Sequence, residues 1–434
     1  MSGSPARPQP IDLGAAAADM LELLEKLASF SDPGPGVTRL LYSPEWAGAQ
    51  RFLLERMAES GLDSFADGVG NVYGRLSGSR SSERVVLTGS HIDTVVNGGK
   101  YDGAYGVAAS VTALQHLYRA YGPPLRTLVA VSFAEEEGSR FPLTFWGSGH
   151  LTGLYDGREA AGCRDEAGVT LQEAMADCQL GPRRPAPRCG DIAAYVELHV
   201  EQGIVLERSE TQIGIVSAIA GQRRFAVTVE GTANHAGTTP MGLRRDALAA
   251  AADLTLRLEA LAAEAGDPLV ATVGRLDVRP NTPNVIPGEV RFTLDIRHSR
   301  EAELEAFCAA VDAAFAAIAK RRDVAVRLEP RLTAAPAHMD ARLQAELASV
   351  CDRRGLRWRS MVSGAGHDAQ LFAPRCPAAM VFVPSASGIS HAPEEYTSPA
   401  DLASGLDVLL ALLYKLGYEC EEGTDDPGDG QRLT

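Results

Sequence analysis

The sequence has no apolar run approaching the roughly 20 residues that a membrane-crossing helix needs, and its opening, MSGSPARPQP, lacks the apolar core of a signal peptide. The chain therefore reads as a cytoplasmic protein. A positive balance is missing too: 41 Lys and Arg stand against 56 Asp and Glu, a formal net charge of −15. That is the wrong sign for a nucleic-acid or anionic-membrane surface, and neither partner is expected. Paired cysteines are also absent. The seven present are odd in number, scattered and without a CxxC, which argues against both a disulfide framework and a thiolate zinc site. What is there is an ordinary globular composition, 45% hydrophobic and 22% charged. At 434 residues the chain exceeds the size at which a single core stops growing, which predicts two domains.

The most informative stretch is HIDTVVNGGKYDG, His91 to Gly103. Val85, Val86 and Leu87 before it form a short apolar run followed by Thr88 and Gly89, the pattern of a buried strand opening into a loop. In open α/β sheets ligands bind at the carboxyl ends of strands. His91 sits at such an end, and Gly98, Gly99 and Gly103 let the loop return so that Asp102 approaches it. The next apolar run, Arg126 to Phe133, ends just before Glu135, Glu136 and Glu137. Two strands thus bring an imidazole and several carboxylates to one rim. An acidic triplet alone equally describes a solvated face. Beside the HxD and DG elements it suits a pair of divalent cations about 3.5–4 Å apart, with Asp102 as the bridge. One glutamate would bind metal while its neighbour takes a proton from water. Imidazole and carboxylate donors without thiolate are compatible with manganese, zinc, cobalt or nickel.

In chain order, the Pro-rich start leads into amphipathic helices over 15–30 and 44–60, a strand over 72–76, and the two site strands with a helix, 106–121, between them. Strand, helix, strand is the parallel-sheet unit. Residues 141–190 read as loops and short helices, and 193–198 as a strand delivering His199, Glu201 and Gln202. Beyond Ala220 the pattern changes to strand 224–229, helix 245–265, strands 269–278 and 289–297, helix 301–321 and strand 324–328. That is the ferredoxin-like βαββαβ order. The expected organisation is a catalytic α/β domain with a mostly parallel sheet in two segments, 1–219 and 331–418, an inserted α+β domain at 220–330, and a disordered tail at 419–434.

Three more histidines fall in strand-end or glycine-containing loops, where functional groups are commonly carried: His199 in ELHVEQG, His235 in GTANHAGTTPMGLRRD and His391 in SGISHAPEE. Structural or surface roles are expected for His116, His150, His298 and His338, and His367 in GAGHDA suggests a pocket wall. Asn284 and Arg297 come from the inserted domain. A guanidinium with an amide suits a carboxylate, since Arg presents a rigid fork.

Together with RPNTPNVIPGEVRFTLDIRH and AEEEGSRF, these segments resemble the hydantoinase/carbamoylase branch of the M20 metallopeptidase family, in the same order from about residue 20 to 418. The resemblance implies a homodimer with two divalent metals per subunit, manganese favoured, and an inserted lid or dimerisation domain. It assigns His91, Asp102 and His199 to one metal, and Asp102, Glu137 and His391 to the other. Glu136 would be the general base. A histidine at 199, where exopeptidase relatives place a carboxylate, favours hydrolysis of ureido and carbamoyl groups over peptides. His235, from the partner subunit's lid, would stabilise the oxyanion. Asn284 and Arg297 would hold a substrate carboxylate, with Gln202 and Gly366 as further contacts. FPLTFWGS and GHDAQLFAPR tilt the expected substrate to allantoate; N-carbamoyl-L-amino acids and N-carbamoyl-β-alanine are the alternatives. A binding protein built on a dead enzyme would have lost ligands, and none is missing here.

Overall fold

The computed structural model describes residues 11–80, 84–178, 180 and 183–419. Expectations placed on residues 1–10 and on the tail from Cys420 lie outside these residues. The chain forms two compact units. One comprises the chain up to Ile215, Asp340–Ser360 and the chain from Leu371 on; the other comprises Val216–Met339 and Met361–Gln370.

In the first unit the strand order is Asp63–Ala66, Val72–Leu76, Leu128–Phe133, Val85–His91, Ile192–Val200, Ala378–Val383, and then the start of Ile213–Ile219. The middle four, from Leu128–Phe133 to Ala378–Val383, run parallel. Their neighbours on both sides run antiparallel. The fold is thus α/β around a parallel centre. Every residue of Val85–His91 and of Leu128–Phe133 is buried, because helices cover both faces of such strands and select continuous apolar runs over alternation.

The helices start where capping chemistry permits. Ser43 accepts a hydrogen bond from the Trp46 N–H ahead of Pro44, and Ser398 accepts one from Asp401 ahead of Pro399; proline at the first helical position loses no intrahelical bond. Helix Ala104–Tyr121 leaves the Asp102 turn directly. Its Gly106 lies so close to the Leu198 carbonyl that any side chain there would collide with it, so the helix sits tightly behind the rim of the sheet. Val107, Val111, Leu114 and Leu117 on it are fully buried, and truncating one such Leu to Ala costs about 2–5 kcal/mol.

The second unit contains strand Gly221–Glu230, helix Ala247–Ala265, strands Val270–Arg279 and Glu289–His298, helix Glu301–Arg322 and strand Ala325–Ala334. The strands form one antiparallel sheet in the order Ala325–Ala334, Gly221–Glu230, Glu289–His298, Val270–Arg279. This is the ferredoxin-like plait. In Glu289–His298 the alternate residues Val290, Phe292, Leu294 and Ile296 are buried and form a core with Leu254, Leu258, Phe307, Val311 and Phe315 of the two helices. Period-two burial on one face is what an antiparallel sheet covered on one side demands.

The boundary between units falls inside the apolar strand Ile213–Ile219, not at the change of pattern after Ile219, and Met361–Gln370 belongs with the second unit. A change in hydrophobic period marks where a strand ends. Which unit a strand packs with is a tertiary property that the period does not report.

Candidate metal centre

His91 is the last residue of its strand and is 2% exposed. Its Nδ1 lies 3.2 Å from Asp93 Oδ1, and its Nε2 faces Asp102 Oδ1 at 3.7 Å. His199, in the neighbouring parallel strand, directs Nδ1 to the Val200 carbonyl at 2.9 Å, while its Nε2 lies 3.2 Å from Asp102 Oδ1. Nε2 of both rings thus faces the Asp102 carboxylate, and the Gly103 N–H approaches His199 Nε2 at 3.0 Å; in the neutral rings a proton on Nδ1 would leave Nε2 free for a cation. Asp102 reaches them because the turn it stands in continues through a glycine. Gly103 has φ +61°, and a Cβ there would fall 2.5 Å from His91 Cε1.

The other oxygen of Asp102 faces a second group. His391 Nε2 lies 3.2 Å from Asp102 Oδ2 and 3.3 Å from Glu137 Oε1. Two donor sets therefore share one carboxylate: His91, Asp102 and His199, and Asp102, Glu137 and His391. These residues fit divalent cations. Metal bonds of about 2.0–2.2 Å put adjacent donors about 3 Å apart, close to the separations here, and one carboxylate with its oxygens turned to opposite sides is the bridge that a two-ion site requires.

The electrostatics point the same way. Burial pushes the Asp102 carboxyl up, but hydrogen bonds from His199 and His391 and the charges of His199 and His91 outweigh it and hold it well below the usual carboxylate range. Hydrogen bonds to Asp102 and Glu137 push His391 up to about 10. Burial disfavours the charged form of His91, yet Asp93, Glu136 and Asp102 raise it well above an ordinary imidazole. Burial also raises Glu135 and Glu137. A buried cluster that draws protons onto its imidazoles has an excess of negative charge, which cations neutralise.

Glu136 follows the strand Leu128–Phe133 and is 9% exposed. Asp93, one residue beyond Ile92 in the HxD element, anchors it. Asp93 accepts hydrogen bonds from the Glu136 N–H at 3.1 Å and the Glu137 N–H at 3.1 Å, besides contacting His91. It thereby sets both the ring orientation and the acidic turn. The HxD element marks this residue in the sequence, but its link to the acidic turn is visible only in the structure. Gln202 also lies at the centre: its Nε2 donates to Asp102 Oδ2 at 2.8 Å and to Ser390 Oγ at 3.2 Å. Its Oε1 is buried and has no hydrogen-bond partner among the described residues.

The second unit holds the remaining candidates. Asn234–His235 pairs with Val285–Ile286 in a short antiparallel ribbon, and the Ala236 N–H donates to the Asn284 carbonyl at 2.9 Å. His235 and Asn284 are therefore neighbours. His235 is exposed, and its Nδ1 accepts from the Gly237 N–H at 3.0 Å, so the ring proton is on Nε2 as a donor. Arg297 stands on Glu289–His298. Asp295 pairs with its Nε at 2.8 Å and Nη2 at 3.1 Å, and the Gly364 carbonyl accepts from Nη1 at 2.6 Å. Gly366 is two residues further along that loop and is exposed. Asp295, which also accepts from Arg224 at 2.7 Å and Gln222 at 2.8 Å, carried no sequence signal beyond alternation in a strand. Among the histidines assigned structural roles, His116 pairs with Asp19 at 2.9 Å, and His298 Nδ1 accepts from the Arg300 N–H at 2.9 Å.

The family model for peptidases M20/M25/M40 matches residues 87–415. The chain is 47% identical to the allantoate amidohydrolase of Escherichia coli (strain K12), over 92% of this chain and 97% of that one. It is 47% identical to the Bacillus subtilis (strain 168) protein of the same name, over 94% and 99%. Among solved structures, a hydantoinase/carbamoylase family amidase from Burkholderia ambifaria superposes with a TM-score of 0.87 at 35% identity, covering 95% of this chain and 99% of that one.

Proposed function

The chain belongs to the M20/M25/M40 peptidase family, and from that premise we propose that it hydrolyses a ureido group of allantoate, giving ureidoglycine, ammonia and carbon dioxide. The observation that carries the reading is the shared Asp102 carboxylate with a donor set on either side and a buried Glu136 whose charge is felt by His91, in a chain that matches allantoate amidohydrolases nearly end to end. His91, Asp102 and His199 would hold one cation, and Asp102, Glu137 and His391 the other. Manganese is favoured, and zinc, cobalt or nickel suits the same donors. When bound, such cations polarise a carbonyl and lower the pKa of water towards about 7.

The chain's own groups do the rest. Glu136, held by its backbone N–H on Asp93, takes a proton from the attacking water and returns it to the departing nitrogen. The unpaired Gln202 Oε1 accepts from a ureido N–H. Arg297, oriented by Asp295, keeps N–H groups for the substrate carboxylate together with Asn284. The Gly366 loop, next to the Gly364 carbonyl that positions Arg297, adds a further substrate contact. His235 of the partner subunit presents Nε2–H to the developing oxyanion, a donor role that lowers such barriers by about 3–4 kcal/mol. On this reading the enzyme acts as a cytoplasmic homodimer on a small carboxylate-bearing ureide. No helix among the described residues is long and apolar enough to cross a membrane.

The test is ammonia release by protein stripped with a chelator and reloaded with manganese, zinc, cobalt or nickel in turn. Allantoate is set beside N-carbamoyl-L-amino acids and N-carbamoyl-β-alanine. Turnover of allantoate well above the others supports the reading. Turnover of the carbamoyl compounds alone moves the substrate assignment and leaves the metal centre standing, and no turnover with any metal refutes the proposal.

A further inference from the structure

The motif SHAPEE carries two consecutive glutamates with opposite fates: Glu394 is exposed, and Glu395 is 5% exposed. Burial of a carboxylate is costly unless its oxygens are occupied, and those of Glu395 are. Its Oε1 accepts from the Tyr101 N–H at 3.0 Å and from the Asp102 N–H at 3.1 Å. Its Oε2 accepts from Ser390 Oγ at 3.1 Å. One side chain thus grips the main chain that bears Asp102 and the residue that precedes His391, two segments separated by 293 positions between Asp102 and Glu395. The fit is close: a Cβ on Gly99 would collide with the Glu395 carboxylate and with its Cβ, so the glycine turn and the carboxylate are shaped to each other. Ser390 extends the link, accepting from Gln202 Nε2 at 3.2 Å.

The candidate histidine ligands differ in how firmly they are otherwise held. His91 and His199 stand in adjacent parallel strands, whereas His391 lies in a loop with φ +55°. Its alignment with Asp102 depends on whatever fixes that loop to the Asp102 turn. We infer that Glu395 is a positioning residue of the metal centre, clamping the Asp102 turn to the His391 loop so that the cation between Asp102, Glu137 and His391 finds its donors in register. The assignment rests on the two-cation reading above. Partners that orient metal ligands typically account for about 10- to 100-fold in metal affinity, and the effect falls more on this cation than on the one at the strand ends.

Titration of chelator-stripped protein with Co2+, followed by equilibrium dialysis and by the visible ligand-field absorption, tests the assignment without turnover. Wild type is expected to take up two ions. Glu395→Ala is expected to bind the weaker ion at least about 10-fold less tightly, with a weakened absorption band. Glu395→Gln should recover most of the loss, because its amide oxygen still accepts from both N–H groups and its NH2 can donate to Ser390. Glu394→Gln should match wild type. Unchanged affinity for both ions in folded Glu395→Ala overturns the assignment, as does a Gln variant no better than Ala. Should the Ala variant not fold, Ser390→Ala removes the Oε2 partner together with the Ser390 contacts to Gln202 Nε2 and Asp102 Oδ2, and unchanged affinity there overturns the assignment equally. A wild-type stoichiometry of one ion refutes the two-cation reading itself, and is distinguished by needing no variant.

Discussion

Gly103→Ala offers a steric test of the whole centre. At φ +61° and ψ −50°, outside the left-handed helical region, a side chain costs about 1–3 kcal/mol of backbone strain, less than the about 5–15 kcal/mol by which folded proteins are stable. The larger effect is local. The new Cβ would lie 2.5 Å from His91 Cε1 and 2.6 Å from both ring nitrogens, while ordinary contact begins near 3.4 Å. The ring must retreat by about 0.9 Å, the difference between those distances, and Asp93 braces it from the Nδ1 side. A bond of about 2.1 Å to a cation does not survive such a shift. The expectation is a loss of about 10- to 100-fold in affinity for the cation at His91, Asp102 and His199, with far-UV circular dichroism unchanged. Free Mn2+ measured by electron paramagnetic resonance during titration of stripped protein reads the loss directly. Wild-type affinity in the folded variant would refute either His91 as a ligand or the rigidity of the turn.

Glu136→Gln should retain both cations and lose about 100- to 10,000-fold in kcat; a near-normal rate removes Glu136 as base. Arg297→Ala should raise KM for carboxylate-bearing substrates with a smaller change in kcat, and Asp295→Asn should do the same to a lesser degree by releasing the fork. Equal loss towards an uncharged ureide would contradict the carboxylate role. Metal affinity should rise with pH. With His391 raised to about 10 by Asp102 and Glu137, this ring carries a proton at neutral pH in the metal-free protein and must release it to bind. Between pH 6 and 8 the affinity should then increase about 100-fold for one released proton. Calorimetry in buffers of different ionisation enthalpy counts those protons, and a pH-independent affinity would refute a protonated His391 in the metal-free centre.

The segments that carry the candidate ligands are legible because they sit where periodicity breaks. His91, Glu136 and Glu137 end or follow apolar runs, His199 stands one residue inside the end of its strand, and the βαββαβ order of the second unit follows from alternation and helix length alone. The roles of His235, Asn284 and Arg297 came from family resemblance. Their local settings, the ribbon that makes His235 and Asn284 neighbours and the Asp295 pair that orients Arg297, came from the structure. Asp93 and Glu395 show the limit from the other side. Each is one carboxylate among 56 Asp and Glu; the HxD element marks Asp93 but not its partners, the Glu136 and Glu137 N–H groups, and nothing in its immediate sequence sets Glu395 apart from a solvated carboxylate.

The amino-acid sequence by itself determined which chemistry the protein carries, the imidazole and carboxylate donors and the strand ends that present them, because side-chain type and hydrophobic period are local properties. Only the tertiary structure decided which oxygen of Asp102 faces which histidine, that Glu395 is buried while Glu394 is not, and that Met361–Gln370 belongs with the second unit. Those outcomes depend on hydrogen bonds and packing between residues far apart in the chain, whose partners are set by the three-dimensional arrangement and not by their neighbours in sequence.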